Sequence, residues 1–152
     1  MIKMIIRKAV KEDAQTLDYL LTLLIQDEQK YDDNIDENFT VQHFYENYID
    51  DFNKYIIVAE EENKIIGYLY GYQKKDESLH NKVAVLDALY VEEKYRKKGV
   101  ASSFISSFKT WCLENSIQEI EVNVLSQNSK AKNLYSKHNF VTKKETMYTK
   151  II

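Results

Sequence analysis

Nine consecutive residues, 83–91 (Val-Ala-Val-Leu-Asp-Ala-Leu-Tyr-Val), constrain the fold most: all but Asp87 are apolar. A strand so uniformly apolar is buried on both faces, which requires a sheet covered by helices. A charged loop follows over 92–98. From Gly99 to about residue 114 apolar side chains then return at helical spacing, as Val100, Phe104, Phe108, Trp111 and Cys112. The same reading predicts a strand over 117–125, a helix over 128–138 and a closing strand over 140–148. Upstream it predicts a strand over 2–9, a helix over 12–30, a second helix over 40–52 begun at Thr40, and strands over 55–59 and 65–73 joined by a turn at Asn63 and Lys64. In the last of these, Ile66, Tyr68, Tyr70 and Tyr72 should share one face.

The resulting order, β-α-α-β-β-β-α-β-α-β, predicts an α/β (α+β) fold. Residues 1–152 form a single three-layer domain, with a central mixed, mostly antiparallel sheet flanked by helices. A length of 152 residues with 44% hydrophobic and 30% charged side chains suits one core. The net charge of −3 argues against a dedicated duplex-DNA binder. No apolar run approaches the ~20 residues that span a bilayer, and residues 1–10 lack the uninterrupted apolar stretch of a signal peptide. One cysteine, Cys112, excludes an internal disulfide framework, and its place on the apolar helix stripe reads as core. His43, His80 and His138 have no metal-ligand spacing, so no metal is expected. These features together point to a soluble, cytoplasmic protein.

The sharpest chemical feature is the passage from the 83–91 strand through Arg96, Lys97 and Lys98 to a helix starting at Gly99. A helix N-terminus carries free N–H groups and about +0.5 of a charge. Gly99 adds no Cβ, and Ala101 and Ser102 keep the first turn small. That combination can cradle a diphosphate, each N–H to a charged oxygen contributing ~1.5–3 kcal/mol. A solvated basic loop with a glycine helix start is the plainer reading. There is no Walker loop and no three-glycine dinucleotide fingerprint. Downstream, Asn128 is a good N-cap, Tyr135 lies two turns in as a packed or a catalytic tyrosine, and Asn139 stands where a helix end favours glycine.

Taken together, Arg96-Lys97-Lys98-Gly99-Val100-Ala101 and the later set Asn128, Ala131, Leu134, Tyr135 and Phe140 resemble the two signatures of the GNAT superfamily of N-acetyltransferases. Asn139 replaces the later signature's glycine. The resemblance implies acetyl-CoA as cosubstrate. Its pyrophosphate would lie on the amides of residues 97–102 and its pantetheine arm along Leu89, Tyr90 and Val91. Asn128 would contact that arm, and Tyr135 would lie near the thioester sulfur. It also implies direct acetyl transfer to a small-molecule or peptide amine.

Asp87, alone in an apolar strand, is the best candidate for a general base; its position resembles the glutamate base of the polyamine-acetylating branch. A structural carboxylate held by amides or a lysine is the competing reading. Asn123 stands where the branch that acetylates protein N-termini has a glutamate, and asparagine cannot take a proton; Glu121, on the same strand face, is the weaker alternative. Residues 27–51 carry nine carboxylates against Lys30, a net of −8, leaving +5 for the rest of the chain. This asymmetry suits either a solubilising surface or a field that steers a cationic acceptor: a polyamine, an aminoglycoside, a lysine or a peptide amine. Tyr31, Tyr45, Tyr48, Tyr68, Tyr70 and Tyr72 could wall a cation or simply pack. Two other readings stand: a non-catalytic CoA-binding module, and a nucleic-acid binder using residues 94–98. Exposed tyrosines and the last strand could support a homodimer.

Overall fold

Five strands form one sheet, adjacent in space in the order they occur in the chain: β1 (Met4–Lys8), β2 (Lys54–Glu61), β3 (Lys64–Gln73), β4 (Val83–Val91) and β5 (Glu119–Val122). The computed structural model describes residues 4–152, so residues 2–3 of the expected first strand lie outside it. β1 to β4 are antiparallel, and β4 and β5 are parallel. A parallel pair needs a crossover. Here α2 (Val100–Glu114) supplies it; α1 (Ala14–Glu28) follows β1, and α3 (Ser129–Lys137) follows β5. This is the expected mixed, mostly antiparallel sheet with helical cover.

The sheet buries both faces. On one, α2 packs Phe104, Ile105 and Phe108 over Ile57, Ala59, Leu69, Ala84 and Leu86. On the other, Leu17 and Leu20 of α1 and Tyr45 pack over Ile56, Val58, Tyr68, Tyr70 and Ala88. Cys112 is buried and its thiol is pushed up to about 11 by desolvation, which fits a core residue.

Two glycines permit close approaches. A Cβ on Gly67 would stand 2.7 Å from the carbonyl oxygen of Tyr90, and one on Gly71 would run into the Phe108 ring.

Two irregularities redirect side chains. Register shifts at Ala59/Glu60 and leaves Ile66 extra, so Ile66 joins the α2 layer while Tyr68, Tyr70 and Tyr72 stay on the α1 side; the four do not share a face. Register shifts again at Tyr70/Gly71: Tyr70 pairs with Ala88 and Gly71 with Leu86, leaving Asp87 as the bulged residue of β4.

The expected helix over 40–52 is absent. Only a single 3₁₀ turn forms, at Tyr45–Asn47. His43 has φ +55, which breaks a right-handed helix. Donors of this segment are also taken from outside it. The Val41 amide donates to Thr22 Oγ1 at 2.9 Å, and the Tyr45 amide to Asp18 Oδ1 at 3.1 Å. Asp32, Asp36 and Asp51 accept from the amide two residues on, folding the acidic stretch into polar turns.

The β2–β3 turn falls on Glu62 and Asn63, both at positive φ, one residue earlier than expected. The strand expected over 140–148 does not form; these residues pair with no strand among the described residues. Residues 141–152 make no backbone hydrogen bond to any described residue, and β5 closes the sheet with an open edge.

Candidate active site

β4 and β5 pair only as far as Leu86–Val122, while β4 runs on to Val91. Residues 87–91 therefore have β3 on one side and no strand on the other. This leaves a row of backbone groups at Leu89, Tyr90 and Val91 along one side of a slot.

The loop beyond β4 is shaped by its own arginine. Arg96 donates Nε to the Val91 carbonyl at 2.6 Å, reaches Asp27 at 3.2 Å and lies over the Tyr90 ring. Lys97 and Gly99 then take positive φ, +63 and +85, and α2 begins at Val100. In this conformation the amides of residues 97–102 donate to no described residue; the first amide of this stretch to find a protein acceptor is Ser103, on Gly99. A Cβ built on Gly99 would meet no atom within 4 Å. The glycine is required by its left-handed backbone rather than by crowding. Lys94 and Lys98 both lie over the Tyr95 ring, and with Arg96 tied back the 94–98 run is not an extended basic stripe.

α3 borders the same region. Asn128 Oδ1 accepts from the Ala131 amide at 3.1 Å, the cap expected of it. Two turns in, Tyr135 is 9% exposed and packs on Phe140. Its hydroxyl has no hydrogen-bond partner among the described residues yet is not sealed from solvent. Burial and, secondarily, Glu28 hold its proton well above the ordinary phenol range. His138 Nε2 lies 3.0 Å from Ser102 Oγ, joining the end of α3 to the first turn of α2.

Asp87 opens into a cleft of about 300 Å³ lined also by Phe44, Tyr48, Lys54, Tyr70 and Tyr72. Its carboxylate has no hydrogen-bond or ion-pair partner among the described residues; the residue is exposed along the cleft, and partial desolvation there raises its pKa. Lys54 sits over Tyr48 and Tyr72 and near Asp51 rather than pairing with Asp87. By contrast Glu121 is held by Lys74 at 3.0 Å.

One residue escaped the sequence reading. Glu28, at the end of α1, is half-buried and its side chain has no partner among the described residues; desolvation, Asp27, Asp32 and Asp87 all raise its pKa. It continues the helical spacing Leu17, Leu21, Leu24, Glu28, so a carboxylate on the core-facing stripe was the available signal. Among the described residues no three His, Cys, Asp or Glu side chains gather as metal ligands, and no helix is long and apolar enough to cross a membrane.

The sequence pattern of the Acetyltransferase (GNAT) family matches residues 7–140, and the chain belongs to that family. Solved structures share the fold at low identity. A mutant of BH1408 from Bacillus halodurans superposes with a TM-score of 0.87 at 20% identity, covering 97% of this chain and 99% of that one. An aminoglycoside acetyltransferase, meta-AAC0020, from an uncultured soil metagenomic sample gives 0.71 at 18%, covering 99% and 95%. A ribosomal-protein-alanine N-acetyltransferase from Brucella melitensis biovar Abortus 2308 gives 0.68 at 15%, covering 99% and 100%. No curated protein sequence matches.

Proposed function

We propose that the protein transfers an acetyl group from acetyl-CoA directly to a primary amine whose reacting nitrogen arrives as a cation. The observation that carries this is the run of six unengaged amides at residues 97–102, set at the end of the open β4 edge. Such a run fits a diphosphate, and Gly99 leaves the space above it clear. Leu89, Tyr90 and Val91 would bond the amide-bearing arm, and Asn128, its oxygen committed to the cap, would offer its amide nitrogen. Acetyl-CoA supplies an activated thioester carbonyl when bound.

The residues then have separate tasks. An alkylammonium of pKa ~10.4 is free amine in about one molecule in 2500 at pH 7, a cost of about 4.6 kcal/mol. Asp87 would hold the cation in the cleft and accept its proton, directly or through water; the raised pKa makes it a better base than an ordinary aspartate. Backbone N–H groups at 89–91 would stabilise negative charge on the attacked oxygen. Tyr135 keeps its proton, so it would donate a hydrogen bond to the departing sulfur rather than ionise. Glu28, within electrostatic reach of both Asp87 and Tyr135, adds negative charge that favours a cationic acceptor. Most other carboxylates of 27–51 are occupied by turns or ion pairs, so the cleft rather than the whole acidic surface supports this preference.

The test is thiol release from acetyl-CoA across a panel of cationic, neutral and anionic amines at low salt. Release that favours cations supports the reading. Binding of acetyl-CoA without release on any amine would instead indicate a non-catalytic CoA-binding module.

A further inference from the structure

We propose that Lys54 sets the choice of acceptor: with Asp87 it makes the cleft two-poled, selecting a small amine that also carries a carboxylate and rejecting one with a second ammonium. The proposal rests on the reading of Asp87 as the seat of the reacting ammonium, and adds the group at the other end of the same molecule. Two of the residues lining the cleft of about 300 Å³ are charged, Lys54 and Asp87, and their signs are opposite. They share this small space without forming an ion pair. Register keeps them apart. Lys54 pairs with Tyr72, Tyr72 pairs with Val85, and Asp87 lies beyond, bulged out of β4. Two strand spacings, ~10 Å, therefore separate the backbones.

The lysine is aimed by aromatic rings. Its Nζ stands 5.0 Å from the centre of the Tyr48 ring and 5.5 Å from that of Tyr72. Tyr48 in turn stacks on Tyr70 at 6.2 Å, and Tyr70 leans on Tyr72 at 5.7 Å. Among the described residues the ammonium donates no hydrogen bond. Its ion-pair partner, Asp51, is 3.7 Å away, beyond hydrogen-bond reach, and the other Asp51 oxygen accepts from the Asn53 amide. The Lys54 side chain is 21% exposed, so its donors are partly withdrawn from water without a close acceptor. The Asp87 carboxylate faces the same cleft with no partner of its own. An acceptor with an ammonium at one end and a carboxylate at the other would satisfy both poles. A diamine would set its second ammonium against Lys54, in the slot between Tyr48 and Tyr72 that the lysine already fills.

Matched probes test this: the ω-amino acids of three to six carbons, their amides, and the diamines of the same chain length. Each is titrated calorimetrically into the protein, alone and with coenzyme A, and then assayed for thiol release from acetyl-CoA. The amino acid of best length should bind roughly tenfold tighter than its amide or its diamine. Lys54→Met should bring amino acid and amide level, Lys54→Arg should keep the amino acid ahead, and Lys54→Glu should put the diamine first, an inversion that a packing role does not produce. A diamine or an amide ahead in the unaltered protein, no binding by any probe, or an order that Lys54→Met and Lys54→Glu leave unmoved would overturn the proposal. The expected binding order without thiol release would support the two poles and count against acetyl transfer. Thiol release with the diamine ahead would overturn the two poles and leave acetyl transfer standing.

Discussion

Arg96 donates its Nε to the carbonyl of Val91 at 2.6 Å, closing the loop between β4 and α2 onto the end of the strand it leaves. The arginine of the Arg96–Ala101 motif thus shapes the loop, and its outer nitrogen ties the loop to Asp27 on α1. Arg96→Ala should weaken acetyl-CoA binding roughly tenfold, the equivalent of one charge-assisted bond. Arg96→Lys should not restore it, because a lysine lacks the fork that meets Val91 and Asp27 together. Calorimetric titration of both variants checks this; wild-type affinity in either would contradict it.

Gly99→Ala tests the backbone argument separately from space. The added methyl meets nothing, so the whole penalty is the left-handed conformation, about 1–2 kcal/mol. For a chain of this size that is a fall of about 2–4 °C in Tm per kcal/mol. Acetyl-CoA affinity should fall as well. An unchanged Tm would mean that the position does not require positive φ.

The pH profile should separate Asp87 from Tyr135. The base form of Asp87 is lost as pH falls through a midpoint raised above the ordinary 3.8. kcat/KM should therefore decline on the acid side. Asp87→Asn should lower kcat and flatten that limb while leaving acetyl-CoA binding intact. Tyr135→Phe should lower kcat roughly 10- to 100-fold, the value of one bond to a developing charge, with the acid limb unmoved. Unchanged turnover in either variant removes that residue from its role.

Stability should have its own acid transition at Asp13. Burial opposes its charge, but two bonds from Arg7, at 2.8 and 3.1 Å, and one from the Val10 amide outweigh burial and lower its pKa. A lowered carboxyl pKa contributes stability above the unfolded value near 3.8 and loses it as pH falls through the folded value. Asp13→Asn should cost about 2 kcal/mol at neutral pH. Denaturant midpoints should converge with wild type in acid; a constant gap across pH would exclude this ion pair as the cause.

Much of the stretch from β4 to α3 was legible because its structural signals are local. The apolar run of β4, the helix start at Gly99 and the Asn128 cap each act within a few residues of themselves; the left-handed backbone at Gly99 was not read from the sequence. The stretch from α1 to β3 was less so. Residues 40–52 carry helical periodicity, yet Thr22 and Asp18, distant in sequence, take backbone donors that a helix would have used. Ile66 changes faces because a bulge spans two strands, and alternation within one strand cannot report it. Asp87 was conspicuous as a lone carboxylate, but that it stands unpaired beside Tyr70 and Tyr72 depends on the bulge. The strand expected over 140–148 does not form: its residues have a strand's composition, but among the described residues none of them pairs with a strand.

The most direct measurement is the backbone amide NMR spectrum during titration with coenzyme A. Saturable shifts concentrated on residues 97–102, extending along 89–91 and reduced in Gly99→Ala, are the expected result. Saturating ligand that leaves those six amides unmoved would contradict the account at its centre.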